Sequence, residues 1–212
     1  MRQFDIITEA DARRIEVGAT VELRAGGHVT PLAADTLRAR RVTVVPMGSL
    51  DPSLPPGLAP TAVIRRIAIA SDHTGVALRS AIVKHLRGSG LAVEDLGVES
   101  AAPADYPDTA AAVARAVARG EADAGIAIDG AGIGSAIAAN KVKGVRAAMC
   151  TDETLARYSR EHNGANVLTL GSTLLPDAAA AIRIIDVWLA TPMKEARYIR
   201  RLLKIRRLED QA

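Results

Sequence analysis

Three short polar segments of this 212-residue chain carry residue types suited to proton transfer: Asp72-His73, Asp129-Gly130-Ala131-Gly132 and His162-Asn163. A carboxylate and an imidazole can accept and return protons near neutral pH. A glycine-rich turn between a strand and a helix lets backbone N–H groups approach an anion, and the helix N-terminus adds partial positive charge. Each segment also has a plain structural explanation. Asp72 suits a helix N-cap, His73 a surface position, His162 a helix C-terminus, Asn163 a turn, and the glycines a tight bend. The loop is not a dinucleotide fingerprint, because Ser135 follows Gly130 and Gly132 where a third glycine is required. It is not a P-loop either, since no Gly-Lys-Ser/Thr follows.

The elements around these segments place them. Hydrophobic residues make up 49% of the chain and aromatics only 2%, so the core must be built from Ala, Val, Ile and Leu. That composition suits helices packed on a sheet. From Ile64 onward, strands (IRRIAIAS, LAVEDLG, ADAGIAID, GVRAAMC, NVLTLG) alternate with amphipathic helices. This alternation forces parallel pairing through right-handed crossovers and predicts a three-layer, Rossmann-like α/β fold with a mostly parallel five-stranded sheet. Ligands of such sheets bind outside the carboxyl ends of the strands, where all the polar segments above are expected to converge. Three parts are expected: an N-terminal extension over residues 1–45, a proline-rich linker over 46–62 and the α/β domain over 63–212. In the extension, Thr8 and Asp11 suit a helix cap, VGATVEL and RVTVVP read as strands, and Thr30-Pro31 opens a helix.

Charge and cysteine usage exclude several classes. The net charge of +3 comes with basic residues clustered at Lys194, Arg197, Arg200, Arg201, Lys204, Arg206 and Arg207. Only Tyr198 interleaves with them, too few aromatics for a nucleic-acid platform, which leaves a solvated helix face or a phosphate site. A single cysteine, Cys150, excludes a disulfide framework and a thiolate metal cluster, and reads as a small buried hydrophobe. The opening MRQFDIITEADARR carries charges where a signal peptide needs an apolar run, and no segment reaches membrane-spanning length. A cytoplasmic protein is expected.

Several ordered motifs together resemble the ribose-5-phosphate isomerase B and galactose-6-phosphate isomerase family. They are IAIASDHTG, ADYPDTA, GEADAGIAIDGAGIGSAIAANKVKGVRAA, SREHNGANVLTLG, DVWL and the basic tail, from about Ile67 to Arg201. The resemblance implies aldose–ketose isomerisation of a phosphorylated sugar through a cis-enediolate, without metal or cofactor. It implies ring opening by Asp72 and His162, phosphate binding by His73, Arg197 and Arg201, and sugar contacts by Asn163 and Tyr106. Backbone amides from Gly130 through Ala131 and Gly132 to Gly134 would form the oxyanion hole. The arginines would come from the second subunit of a homodimer, with tetramers as a further option. On a helix, Arg197 and Arg201 lie four residues apart and face one side.

The departures from the family pattern bear on the chemistry. Asp129 stands where the commonest members carry a cysteine base, and Ser135 stands where a second branch carries a glutamate. Asp129 is therefore the candidate base. Ala131 replaces the usual Thr or Ser, and Tyr198 replaces a common histidine, which points to an altered substrate preference. The rival expectation is an inactive sugar-phosphate sensor, or one subunit of a hetero-oligomeric isomerase. The N-terminal segment lies outside the family pattern. Its TPLAAD helix start resembles the opening segments of some bacterial microcompartment enzymes, which implies docking on another protein and a microcompartment location as an alternative.

Overall fold

The computed structural model of the chain describes residues 2–46, 64–99, 102–193 and 196–211. The chain divides into two compact units, residues 1–55 with 194–200 and residues 56–193 with 201–212. The linker expected over 46–62 falls, except for Pro46, outside the described residues.

The first unit holds strands β1 (Gln3–Ile7), β2 (Thr20–Val29) and β3 (Thr43–Pro46), paired in parallel in that order. Thr8 caps helix α1 (Glu9–Arg14) reciprocally: Asp11 N–H donates to Thr8 Oγ1, and Thr8 N–H donates to Asp11 Oδ2 at 3.0 Å. Helix α2 (Pro31–Ala39) starts on its proline. Ile7, Ala12, Ile15, Val21, Ala33 and Leu37 form a core of this unit's own. Two details differ from the sequence reading. β1 was not expected from its short, half-polar sequence, and β2 runs on to Val29 where the reading VGATVEL ends at Leu23.

The second unit contains β4 (Arg66–Ser71), α3 (Val76–Gly88), β5 (Ala92–Asp95), α4 (Tyr106–Ala118) and β6 (Ala124–Asp129). It continues through α5 (Ile133–Ala139), β7 (Ala147–Met149), α6 (Glu153–Glu161), β8 (Val167–Gly171) and α7 (Ala178–Ala190). Helix α8 (Ala196–Glu209) is divided between the units. The five strands pair in parallel throughout, in the order β5-β4-β6-β8-β7.

Alternation along the strands builds the three layers. Ile67, Ile69, Ile126, Ile128, Leu168 and Leu170 face α3, α6 and α7, where Ile82, Leu86, Ala156, Ile184 and Trp188 meet them. Ala68, Ala70 and Val167 face α4 and α5 through Val113, Ala114 and Ala139. Burial of each large aliphatic side chain contributes about 1.5–3 kcal/mol, so the Ile/Leu face carries most of the stabilisation. The small-residue face serves close approach instead: a Cβ on Gly125 would lie 2.5 Å from Val113 Cγ1. Strand order reverses between β4 and β6, which opens a crevice beyond their carboxyl ends.

Candidate active site

Asp72 follows β4 directly and is only 5% exposed. Its Oδ1 accepts from Thr74 N–H at 2.8 Å and from Thr74 Oγ1–H at 2.6 Å, capping the short turn His73–Gly75. Among the described residues no donor meets Oδ2. His73 Nδ1 lies 3.2 Å from the Ala104 amide nitrogen and 3.3 Å from the Ala104 carbonyl oxygen, so the backbone of Ala104 fixes the ring whichever nitrogen carries the proton.

Asp129 ends β6 and is 4% exposed. Its carboxylate accepts three backbone N–H groups of the following turn: Ala131 at 2.8 Å, Ser135 at 2.7 Å, and Gly132. Two of these amides, Ala131 and Gly132, were expected to be open for an oxyanion, and in this structure Asp129 itself engages them. The N–H groups of Gly130 and Gly134 meet no acceptor among the described residues. Gly132 has φ of 77°, and a Cβ there would sit 2.8 Å from the Leu170 carbonyl carbon, so both its backbone and its surroundings require glycine. The Tyr106 ring lies across Gly134, where an added Cβ would come within 2.5 Å of Cε2. Tyr106 thus flanks the glycine loop.

Hydroxyl residues fasten the edge together. Thr173 Oγ1 donates to the Gly130 carbonyl at 2.6 Å, Ser172 N–H to the Asp129 carbonyl at 2.8 Å, and Ser172 Oγ to Thr74 Oγ1 at 3.1 Å. Sequence reasoning missed Thr74, Ser172 and Thr173, because isolated Ser and Thr in turns carry no distinguishing spacing.

His162 and Asn163 do not join this group within one chain. A helix that follows a parallel strand runs back, so α6 begins at the carboxyl edge with Asp152 as its cap and ends at the amino edge with His162. The expectation that all polar segments converge at the carboxyl ends is therefore corrected for these two residues. Strands of five or six residues separate the two edges by about 17–20 Å. His162 stacks on Tyr158 with ring centroids 4.6 Å apart, and Asn163 Nδ2 donates to the Tyr158 carbonyl at 3.1 Å. Two arginines brace the turn that follows: Arg146 Nε donates to the Gly164 carbonyl at 2.9 Å and Arg160 Nη1 to the Ala165 carbonyl at 2.9 Å. Arg160 lies 4.8 Å over the Trp188 ring, and burial pulls its guanidinium down to about 10. Arg201 is exposed on α8, beside Leu202, which lines an amino-edge cavity of about 260 Å³ with Gly144, Arg146 and Glu209. Arg197 lies on α8, and its side chain is outside the described residues. Tyr198 is buried.

Cys150 ends the β7 edge at 1% exposure, and burial pushes its thiol up to about 11. It is held as a protonated thiol and does not supply a base. Among the described residues no cluster of three His, Cys, Asp or Glu side chains could hold a metal, and no helix is long and apolar enough to cross a membrane.

Fold and site together define a parallel α/β protein with carboxylates and a glycine turn gathered at the topological switch point, where sheets of this class bind their ligands. Residues 67–205 match the family model described as Ribose/Galactose Isomerase, and the chain belongs to that family. It is 41% identical over 148 residues to ribose-5-phosphate isomerase B of Escherichia coli, covering 70% of this chain and 99% of that one. Among solved structures, ribose-5-phosphate isomerase B of Clostridium thermocellum is 44% identical with a TM-score of 0.67, covering 69% of this chain and 98% of that one. The Mycoplasma genitalium enzyme with bound ribulose-5-phosphate is 42% identical with a TM-score of 0.66, covering 69% and 97%.

Proposed function

We propose that this protein interconverts an aldose and a ketose phosphate, ribose 5-phosphate and ribulose 5-phosphate or a close relative, through a cis-enediolate. The observation that carries the reading is the grouping of Asp72, His73, Tyr106 and the Asp129 turn at the switch point, in a chain that spans nearly the whole length of its ribose-5-phosphate isomerase B relatives. In ring opening, Asp72 Oδ2 takes the anomeric hydroxyl proton, the bond between C1 and the ring oxygen breaks, and His162 protonates the ring oxygen. Asp129 then moves a proton between C2 and C1. A carboxylate offers about four lone-pair sites and three are taken by amides, so one remains for this transfer. The free N–H groups of Gly130 and Gly134 receive the developing negative charge.

Because His162 and Asn163 sit at the opposite edge from Asp72, the reading requires a second copy of the chain. In a two-fold dimer the carboxyl edge of one copy meets His162, Asn163, Arg197 and Arg201 of the other, and two equivalent sites result. A second reading, a sugar-phosphate sensor or a partner subunit without turnover, draws on the engagement of Asp129 with its own loop. The N-terminal unit, with its separate core and outside the family match, suits docking on another protein. Unchanged activity and localisation after deletion of residues 1–60 would remove that role.

The test is an isomerase assay on four- to six-carbon sugar phosphates with wild type, Asp129→Asn and Asp129→Cys. Turnover of one sugar that falls about 10²–10⁴-fold in Asp129→Asn supports the enzyme with Asp129 as base. Absence of turnover on every sugar, with binding that disappears in Arg197→Ala, supports the sensor.

A further inference from the structure

The hydroxyls of Thr74 and Ser172 link the two carboxylate-bearing strand ends. Ser172 Oγ–H donates to Thr74 Oγ1 at 3.1 Å, and Thr74 Oγ1–H donates to Asp72 Oδ1 at 2.6 Å. The same Ser172 donates its N–H to the Asp129 carbonyl at 2.8 Å. Three strand ends thus meet at one serine: β8 supplies it, β6 receives its amide and β4 is reached through Thr74. The direction of the chain is fixed at its far end, because a carboxylate only accepts. With Thr74 N–H also on Oδ1 at 2.8 Å, that oxygen is committed to the protein. Oδ2 meets no donor among the described residues and is the oxygen left for a ligand.

We infer that Thr74 and Ser172 are positioning residues that lock the rotamer of Asp72, committing Oδ1 to the protein and aiming Oδ2 at the sugar for ring opening. An N-cap alone would need only the Thr74 N–H. The added hydroxyl pair comes from a segment 98 residues further on and serves no helix end. Packing does not account for it either, since Thr74 is exposed. This inference rests on the isomerase reading and deepens it by assigning two residues to the ring-opening step alone.

That restriction gives the test. Ribose 5-phosphate is mostly cyclic and must be opened, whereas ribulose 5-phosphate has its ring-closing oxygen esterified and is open-chain. Turnover of ribose 5-phosphate and solvent-deuterium wash-in to C1 of ribulose 5-phosphate would be measured for wild type, Thr74→Val, Thr74→Ser and Ser172→Ala, with melting curves for each. Thr74→Val is expected to lower kcat on the aldose about 10-fold, Ser172→Ala about 3-fold, and Thr74→Ser little, while wash-in stays within about 2-fold in all. Aldose turnover unchanged in Thr74→Val, or turnover and wash-in falling together, would overturn the inference. A wild type silent in both assays would instead overturn the isomerase reading beneath it.

Discussion

The two edges of the five-stranded sheet are built on different principles. At the carboxyl edge, backbone and side chains interlock: Asp129 draws in three amides, Ser172 and Thr173 tie β8 to the loop, and Tyr106 presses on Gly134. At the amino edge, arginines reach backbone carbonyls across the turns, and His162 and Asn163 stand at a helix end. A preorganised edge suits the chemistry of developing charge. An open edge suits a surface that completes its site only against another copy. The proposed isomerase reading draws on both edges, and it therefore calls for two copies of the chain.

Matched glycine substitutions probe this contrast most strongly. Gly132→Ala combines φ of 77° with a Cβ 2.8 Å from the Leu170 carbonyl carbon, so it should destabilise by about 2–4 kcal/mol and abolish turnover. Gly144→Ala, at φ of 84° on the amino edge, meets nothing within 4 Å. Only its backbone strain of about 1–2 kcal/mol should appear in denaturant melts. Equal costs at the two positions would erase the contrast in packing.

A smaller effect is expected at Asp123, which accepts the Arg65 and Arg66 N–H groups at 2.9 Å and Arg66 Nη2 at 2.7 Å at the amino edge. Burial pushes its carboxyl up, but Arg66 and the two amides outweigh it and hold it below the ordinary range. Its contribution is present above the unfolded value near pH 4 and is lost as pH falls through the lower folded value. Asp123→Asn should cost about 1 kcal/mol at pH 7, discounted for the exposed Arg66, and the difference from wild type should vanish in acid. The mildest probe is the single thiol. With its thiol pushed up to about 11, Cys150 should react with a disulfide reagent at pH 8 only as fast as the protein opens. Rapid labelling of the folded protein would contradict its burial at the carboxyl edge.

The sheet was legible in the sequence because its strands carry alternating or continuous aliphatic runs, as IRRIAIAS and ADAGIAID do, between amphipathic helices. β1 escaped because Gln3–Ile7 is short and mostly exposed, and β2 runs through Gly26-Gly27, which reads as a strand end. At the candidate site, motif content singled out Asp72, His73, Asp129 and the glycine turn, which lie together at the carboxyl edge. Motif content carries no direction, however, and that is why His162 was expected at the wrong edge. The run of the chain from β7 through α6 decides its place. The amide partners of Asp129 were also hidden, since an acid before a glycine turn reads equally as base or as cap.

The central claim, that the site is completed between two copies, is tested most directly by complementation. Asp129→Asn disables one half and His162→Ala the other, so each should be inactive alone while folding normally. Coexpressed, half the dimers are mixed and each mixed dimer holds one intact site, so about a quarter of wild-type activity should return. A mixture no more active than either variant alone, although mixed dimers form and the wild type turns over, would contradict a site shared between copies.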